Sequence, residues 1–246
     1  MQVQVLSFGI LKESLGNSPR RVDLPEGATV ADLLDSLRPL PALDSIAVSV
    51  NTEFAQPARV LRHGDEVGLL PPVSGGTGGT PSAGATNDAE DSLRGYIALT
   101  RDPIDAQSLV AAAKHAEDGA VLVFDGIVRN HSRGRQTLYL DYEAYEAMAD
   151  KQMRELALEA GTRFGVRHVT IVHRLGRIEI GETSVLIVVA SAHRAQAYEA
   201  SRWLIDTLKK TVPIWKRETF VDGAVWAPGE PFPDEIAVSK PEIAHG

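Results

Sequence analysis

The sequence contains no cysteine, which removes disulfide staples, thiolate metal ligands and any nucleophilic or redox thiol. Sulfur, if this chain handles it, must be carried by another group. Long apolar runs are also missing: a stretch such as Val185 to Ala190 falls far short of the ~20 residues of a membrane-spanning helix. No basic region followed by an apolar run opens the chain. A soluble, cytoplasmic chain with no membrane partner is therefore expected. Positive charge is in deficit as well, with 25 Lys and Arg against 33 Asp and Glu, which argues against nucleic acid as a partner.

Against that acidic whole, the stretch from Arg129 to Arg217 holds 15 Lys and Arg and 10 Asp and Glu, a local excess of five positive charges. The whole chain's 246 residues suit one large domain or two small ones. The segment Gly75 to Asp91, GGTGGTPSAGATNDAED, has no large apolar residue and reads as a flexible linker. The division expected is residues 1–76, a linker 77–94, a larger domain 95–228 and a frayed, Pro-rich tail 229–246.

Before the linker, Val3, Val5 and Phe8 open a strand, and Arg21 to Leu24 suggests a second. Thr29 caps a helix carrying Val30, Leu33, Leu34 and Leu37 at helical spacing. Ile46, Val48 and Val50 alternate, Asn51 to Phe54 reads as a turn, and Glu66 to Leu70 forms a last strand. Beyond the linker, strands are expected at Tyr96 to Leu99, Ala120 to Val128, Leu138 to Tyr145, Val169 to Arg174, Arg177 to Ile180 and Ser184 to Ala192. Helices are expected from Asp105, over Met148 to Phe164 and over Ala195 to Leu208, with Trp215 to Val221 extended. The class is α+β throughout.

Pro71 to Gly76, PPVSGG, follows a strand directly. On composition, Gly75 and Gly76 could simply begin the linker; without side chains they could equally thread a narrow channel. The longer run VLRHGDEVGLLPPVSGG, Val60 to Gly76, resembles the end of the small subunit of molybdopterin synthase, a ubiquitin-like β-grasp sulfur carrier. That resemblance implies a Gly76 terminus activated by a separate adenylating and sulfurating enzyme to a thiocarboxylate, so that an acyl group carries sulfur. Here Gly76 is followed by Thr77, so the resemblance also implies a processing protease cutting at that bond. Gly78-Gly79 is a second, poorer match to such an end.

After the linker, FDGIVRNHSRG (Phe124 to Gly134), HRLGRIEIGE (His173 to Glu182), SAHRAQAYEA (Ser191 to Ala200) and LKKTVPIWKRE (Leu208 to Glu218) resemble the large subunit of the same enzyme in order and spacing. An α/β-hammerhead-like domain is implied. Physically, Arg129, His131, His193, Arg194, Lys209 and Lys216 form an anion site if strands and helix converge at one end of a sheet; each could instead be a solvated surface charge. A lysine among other cations can become a base or nucleophile near neutral pH. By resemblance, Lys209 and Lys216 are catalytic, and Arg129, His193 and Arg194 are substrate-binding and catalytic residues; His131, from the anion-site reading, is expected to bind substrate with them. Glu218 could orient Lys216 or pair with Arg217, the latter being slightly favoured.

Trp215, Tyr142, Tyr145 and Met148 are expected to pack, with ring stacking on a substrate the lesser role for Trp215 and Trp226. His115, His168 and His173 lack metal-ligand spacing, and no phosphate-binding loop signature occurs, so neither metal nor cofactor is expected. The resemblance implies sulfur transfer to cyclic pyranopterin monophosphate, forming the dithiolene of molybdopterin, by a homodimer joined through the large domain. The rivals are an uncleaved fusion whose first domain is a permanent plug, and a large domain served by a separate carrier.

Overall fold

Alternating Val3 and Val5 drive a strand whose inward side chains are fully buried, and the elements that follow assemble around it. The computed structural model describes residues 1–16, 19–37, 46–73, 93–229, 232–233 and 235–238. The chain forms two compact units, Met1–Gly75 with Pro228–Gly246, and Gly76–Ala227. The double glycines at 75–76 and 78–79, and most of the expected linker, lie outside the described residues. Leu93 packs against the core of the second unit and Arg94 belongs to its first strand.

In the first unit, β1 (Gln2–Ser7), α1 (Leu11–Leu15), β2 (Arg20–Asp23), α2 (Val30–Ser36), β3 (Ile46–Val50), β4 (Glu53–Phe54) and β5 (Glu66–Leu70) follow in order. The β1 and β5 strands are parallel neighbours, flanked by antiparallel β2 and β3, and β4 pairs with β3. The single crossover carries α2, which buries Val30 and Leu33 on the sheet. That is the β-grasp arrangement expected. Thr29 and Asp32 close a reciprocal capping box at the start of α2, satisfying two backbone donors that the helix leaves unpaired. Asn51 and Thr52, at φ 52° and 67°, make the tight turn into β4. The short helix α1 has too few residues for a periodic signal and is not legible in the sequence.

The second unit runs β6 (Arg94–Thr100), α3 (Ala106–Ala112), β7 (Ala120–Ile127), β8 (His131–Ser132), β9 (Arg135–Ala144), α4 (Glu146–Phe164), β10 (His168–Arg174), β11 (Gly176–Glu179), β12 (Thr183–Ser191), α5 (Arg194–Thr211), β13 (Ile214–Phe220) and β14 (Gly223–Trp226). One sheet has the order β6-β10-β12-β7; the other has β11-β9-β13-β14 with β8 on β9. Strand β12 explains its own continuous apolar run. Val185, Ile187 and Val189 face the core shared with α4 and α5, while Leu186 and Val188 pack with Leu109 and Val110 around α3. A strand covered on both faces cannot alternate in polarity. On α4, Met148, Met153, Leu156 and Ala160 are all buried, as their spacing predicts.

The tail corrects an expectation. Phe232 is buried, and β15 (Ala237–Val238) adds to the first unit's sheet beside β3. The segment read as frayed is thus folded at these residues. Two strand residues after a proline-rich turn give no period to read, so only the apolar Phe232 and Val238 hinted at it.

Candidate active site

The loop RNHSRGR is a hairpin. Ser132 pairs with Arg135, and between them Arg133 and Gly134 sit at φ 49° and 75°, the two left-handed residues of a tight two-residue turn. This turn aims Arg133 at β13, where its guanidinium donates to Glu218 Oε2 at 2.8 Å, and Ser132 Oγ donates to Glu218 Oε1 at 3.3 Å. Glu218 is 3% exposed. Its Oε1 also lies 3.7 Å from Lys216 Nζ.

That pairing settles Glu218 against the reading slightly favoured from sequence. Side chains two apart on a strand share a face and adjacent ones do not. Glu218 therefore faces Lys216, and Arg217 lies on the opposite face. A carboxylate buried among two cations and a hydroxyl is held below its ordinary pKa by Arg133, Lys216 and Ser132, against the opposing cost of burial. Arg133 and Ser132 were not singled out from sequence; the signal available was the left-handed Arg-Gly turn, which fixes where the loop points.

Lys216 is largely buried, and burial pushes its ammonium below the usual lysine pKa. Glu218 opposes that shift, while the positive charges of Lys209 and Arg129 add to it. Three of the residues expected to act together are therefore electrostatically coupled. Helix α5 ends at Thr211, where the Val212 amide caps it onto Leu208. Pro213 then turns the chain into β13, so Lys209, in the last helical turn, and Lys216, early in the strand, flank one turn. Tyr142 stands opposite Lys216 in the register of β9 and β13. Its ring meets His173 edge-on at 5.0 Å, and burial raises its hydroxyl pKa. A weakly basic amine held near further cations can accept a proton or attack a carbonyl, and the surrounding charge favours an anion.

The remaining expected residues divide. His131 is exposed in the same hairpin, its Nδ1 2.7 Å from Asn130 Oδ1. His193 and Arg194 are exposed at the start of α5, and the expected convergence fails for them. From Arg194 to Lys209 the helix advances about 22 Å at 1.5 Å per residue. The sheet agrees: Ser191 pairs with Ala120 and Thr183 with Ile127, so the loop carrying Arg129 and the loop carrying His193 leave opposite ends of β12 and β7. Within one chain these groups form two clusters.

Trp215 is 2% exposed and belongs to the packing, as do Tyr145 and Met148. Trp226 borders a cavity of about 330 Å³ with Arg101, Asp141, Glu143, Glu146 and Arg217. Three acids against two arginines do not suit an anion. His173 is buried with its Nδ1 2.9 Å from the Arg174 carbonyl, and burial lowers its pKa to about 4. Among the described residues, no three His, Asp or Glu side chains are grouped to hold a metal, and no helix is long and apolar enough to cross a membrane.

Fold and site together define a β-grasp domain joined in one chain to an enzyme domain with a partly buried lysine in a basic cluster. Residues 5–76 match the ThiS family and residues 99–211 the MoaE protein family. The chain is 43% identical over 130 residues to the molybdopterin synthase catalytic subunit of Halalkalibacterium halodurans, a match covering 53% of this chain and 83% of that one. It is 33% identical over 158 residues to the molybdopterin synthase catalytic subunit of Homo sapiens, covering 64% and 84%. Among solved structures, molybdopterin synthase from Staphylococcus aureus shares 39% identity at a TM-score of 0.50, covering 52% of this chain and 93% of that one. The chain belongs to the MoaE family of molybdopterin synthase catalytic subunits, with a ThiS-type sulfur-carrier fold ahead of it.

Proposed function

We infer that the chain is a cytoplasmic molybdopterin synthase in which the first unit delivers sulfur and the second performs the transfer. The carrying observation is Lys216, partly buried, lowered in pKa and next to the positive charges of Lys209 and Arg129, in a chain whose ThiS match ends at residue 76, on the double glycine. Cleavage of the Gly76-Thr77 bond frees a carboxylate, which a separate adenylating and sulfurating enzyme converts to a thiocarboxylate. Its sulfur attacks an electrophilic carbon of cyclic pyranopterin monophosphate as a C–O bond at that carbon breaks and the departing oxygen takes up a proton, giving a thioester. Water then cleaves the acyl–sulfur bond, leaving sulfur on the substrate and returning the Gly76 carboxylate. Lys216 and Lys209 move the protons of these steps, and Arg129 and His131 hold phosphate. Two sulfurs require the carrier to be exchanged or recharged between transfers.

The separation along α5 supports a homodimer. His193 and Arg194 lie too far from Lys216 to share a substrate in one chain, and a second copy supplies a pair from its own helix. The test is intact-protein mass spectrometry of the chain expressed in its own host while molybdenum cofactor is being made. A fragment ending at Gly76, with its sulfur-bearing form, is expected. Full-length chain alone overturns the processed-carrier reading; turnover on adding separate carrier then identifies a catalytic domain served in trans, and no turnover identifies a permanent plug.

A further inference from the structure

The covalent path of the tail has a consequence for the carrier. The chain leaves the second unit at Ala227 and from Pro228 onward belongs to the first. At Gly229 a Cβ would collide with the backbone carbonyl of Pro72, so the tail runs directly against the segment leading to the double glycine. Phe232 is 3% exposed and meets Phe54 edge-on, with ring centroids 5.9 Å apart. Gln56 Nε2 donates to the Glu235 carbonyl at 2.6 Å. The amides of Ile236 and Ala237 both donate to the Pro233 carbonyl, and this turn delivers β15 to β3. Ala237 pairs with Ala47, and Val238 with Ile46 and the core beneath.

The free edge of β3 is thereby closed. Its later half pairs with β4 at Ser49 and Val50, and its first half takes β15. An uncovered edge strand is a site for pairing with another chain; here the occupant is the chain's own C-terminal segment. Strand addition supplies backbone hydrogen bonds, and the alternate side chain Val238 and the anchor Phe232 supply apolar burial.

We propose that the tail is a retention clasp acting through Gly229, Phe232 and β15: once the chain is cut after Gly76, these keep the carrier attached to the catalytic unit without a covalent link to it. This rests on the processing read above. Cleavage converts the first unit into a separate polypeptide, but its sheet still contains a strand that belongs to the other fragment. The clasp opposes loss of the carrier fragment to the surrounding pool.

The experiment uses the full chain with a site-specific protease sequence replacing residues 80–86 and an affinity tag after Gly246. The chain is cut to completion on the resin, and release of the N-terminal fragment into buffer is followed over time. Because the cut is engineered, the result is independent of natural processing. Slow release is expected, accelerated about ten- to hundredfold by Phe232→Ala, as the loss of one fully buried aromatic side chain implies, and similarly by Gly229→Ala. Removal of residues 228–246 gives the fastest release. Both point variants lie on the tail, and β1 and β5 amides in the uncut variants are expected to stay protected from hydrogen exchange. Wild-type release as fast as that of the truncated chain, or unchanged release in both point variants with β1 and β5 protected, overturns the clasp.

Discussion

Among the described residues the first unit buries one polar side chain, Ser49, and otherwise closes an apolar core, whereas the second buries His168, His173, Arg174, Glu218 and several hydroxyls as well. The contrast follows from where each unit keeps its chemistry. In the proposed function the first unit's reactive group is a chain terminus, which needs only a stable body behind it. A catalytic unit must hold charge where water is scarce, and buried charge persists only when it is paired and hydrogen-bonded. Glu218, held by Arg133 and Ser132 and facing Lys216, meets that condition.

Removing the second unit's chemistry gives the largest expected effect. Lys216→Ala and Lys209→Ala should each lower molybdopterin formation by roughly a hundred- to ten-thousandfold, the range for a group that moves protons in the transition state, with both units still folded. Turnover assays beside thermal melts check this, and normal turnover in both variants removes the assignment. Glu218→Gln should act through Lys216. Glu218 raises the Lys216 pKa, so its loss lowers that pKa further and moves the acidic limb of the pH–rate profile to lower pH. Unfolding should also become easier by about 1–3 kcal/mol, because buried donors lose their charged partner. A pH profile coincident with wild type would reduce Glu218 to a structural role.

Acid separates the units next. His173 has a folded-state pKa of about 4 against an ordinary 6.5, so between those values the unfolded chain binds more protons and stability falls as pH falls. This group's contribution is fully present above pH 6.5 and exhausted below about 4, with a slope of at most about 1.4 kcal/mol per pH unit. The first unit's described histidine, His63, is exposed. Hydrogen exchange across that window should show the second unit loosening before the first, and His173→Phe should flatten its pH dependence. The smallest effect belongs to the first unit: Thr29→Ala opens the α2 capping box and should cost about 1 kcal/mol, read from α2 amide exchange, while turnover stays unchanged.

Much of the fold was legible because periodicity is local. Helices α2, α4 and α5 and strands β3, β7, β10 and β12 lie where their spacing places them. What was missed shares a cause: α1, β8, β14 and β15 are too short or too mixed to show a period, and their place is set by what they pack against. In the candidate site, the residue types alone suggested grouping the two lysines with Arg129, whose charges act on Lys216, whereas Arg133 was hidden in a loop whose direction depends on two left-handed residues.

The sequence by itself determined the family, the β-grasp and catalytic halves and the basic motifs, since these depend on residue type and spacing along the chain. Only the tertiary structure decided that Glu218 faces Lys216, that α5 holds His193 and Arg194 away from it, and that the tail returns to β3. Those relations join residues distant in sequence, and the pleat of a strand, the length of a helix and the apolar area left uncovered determine which of them meet.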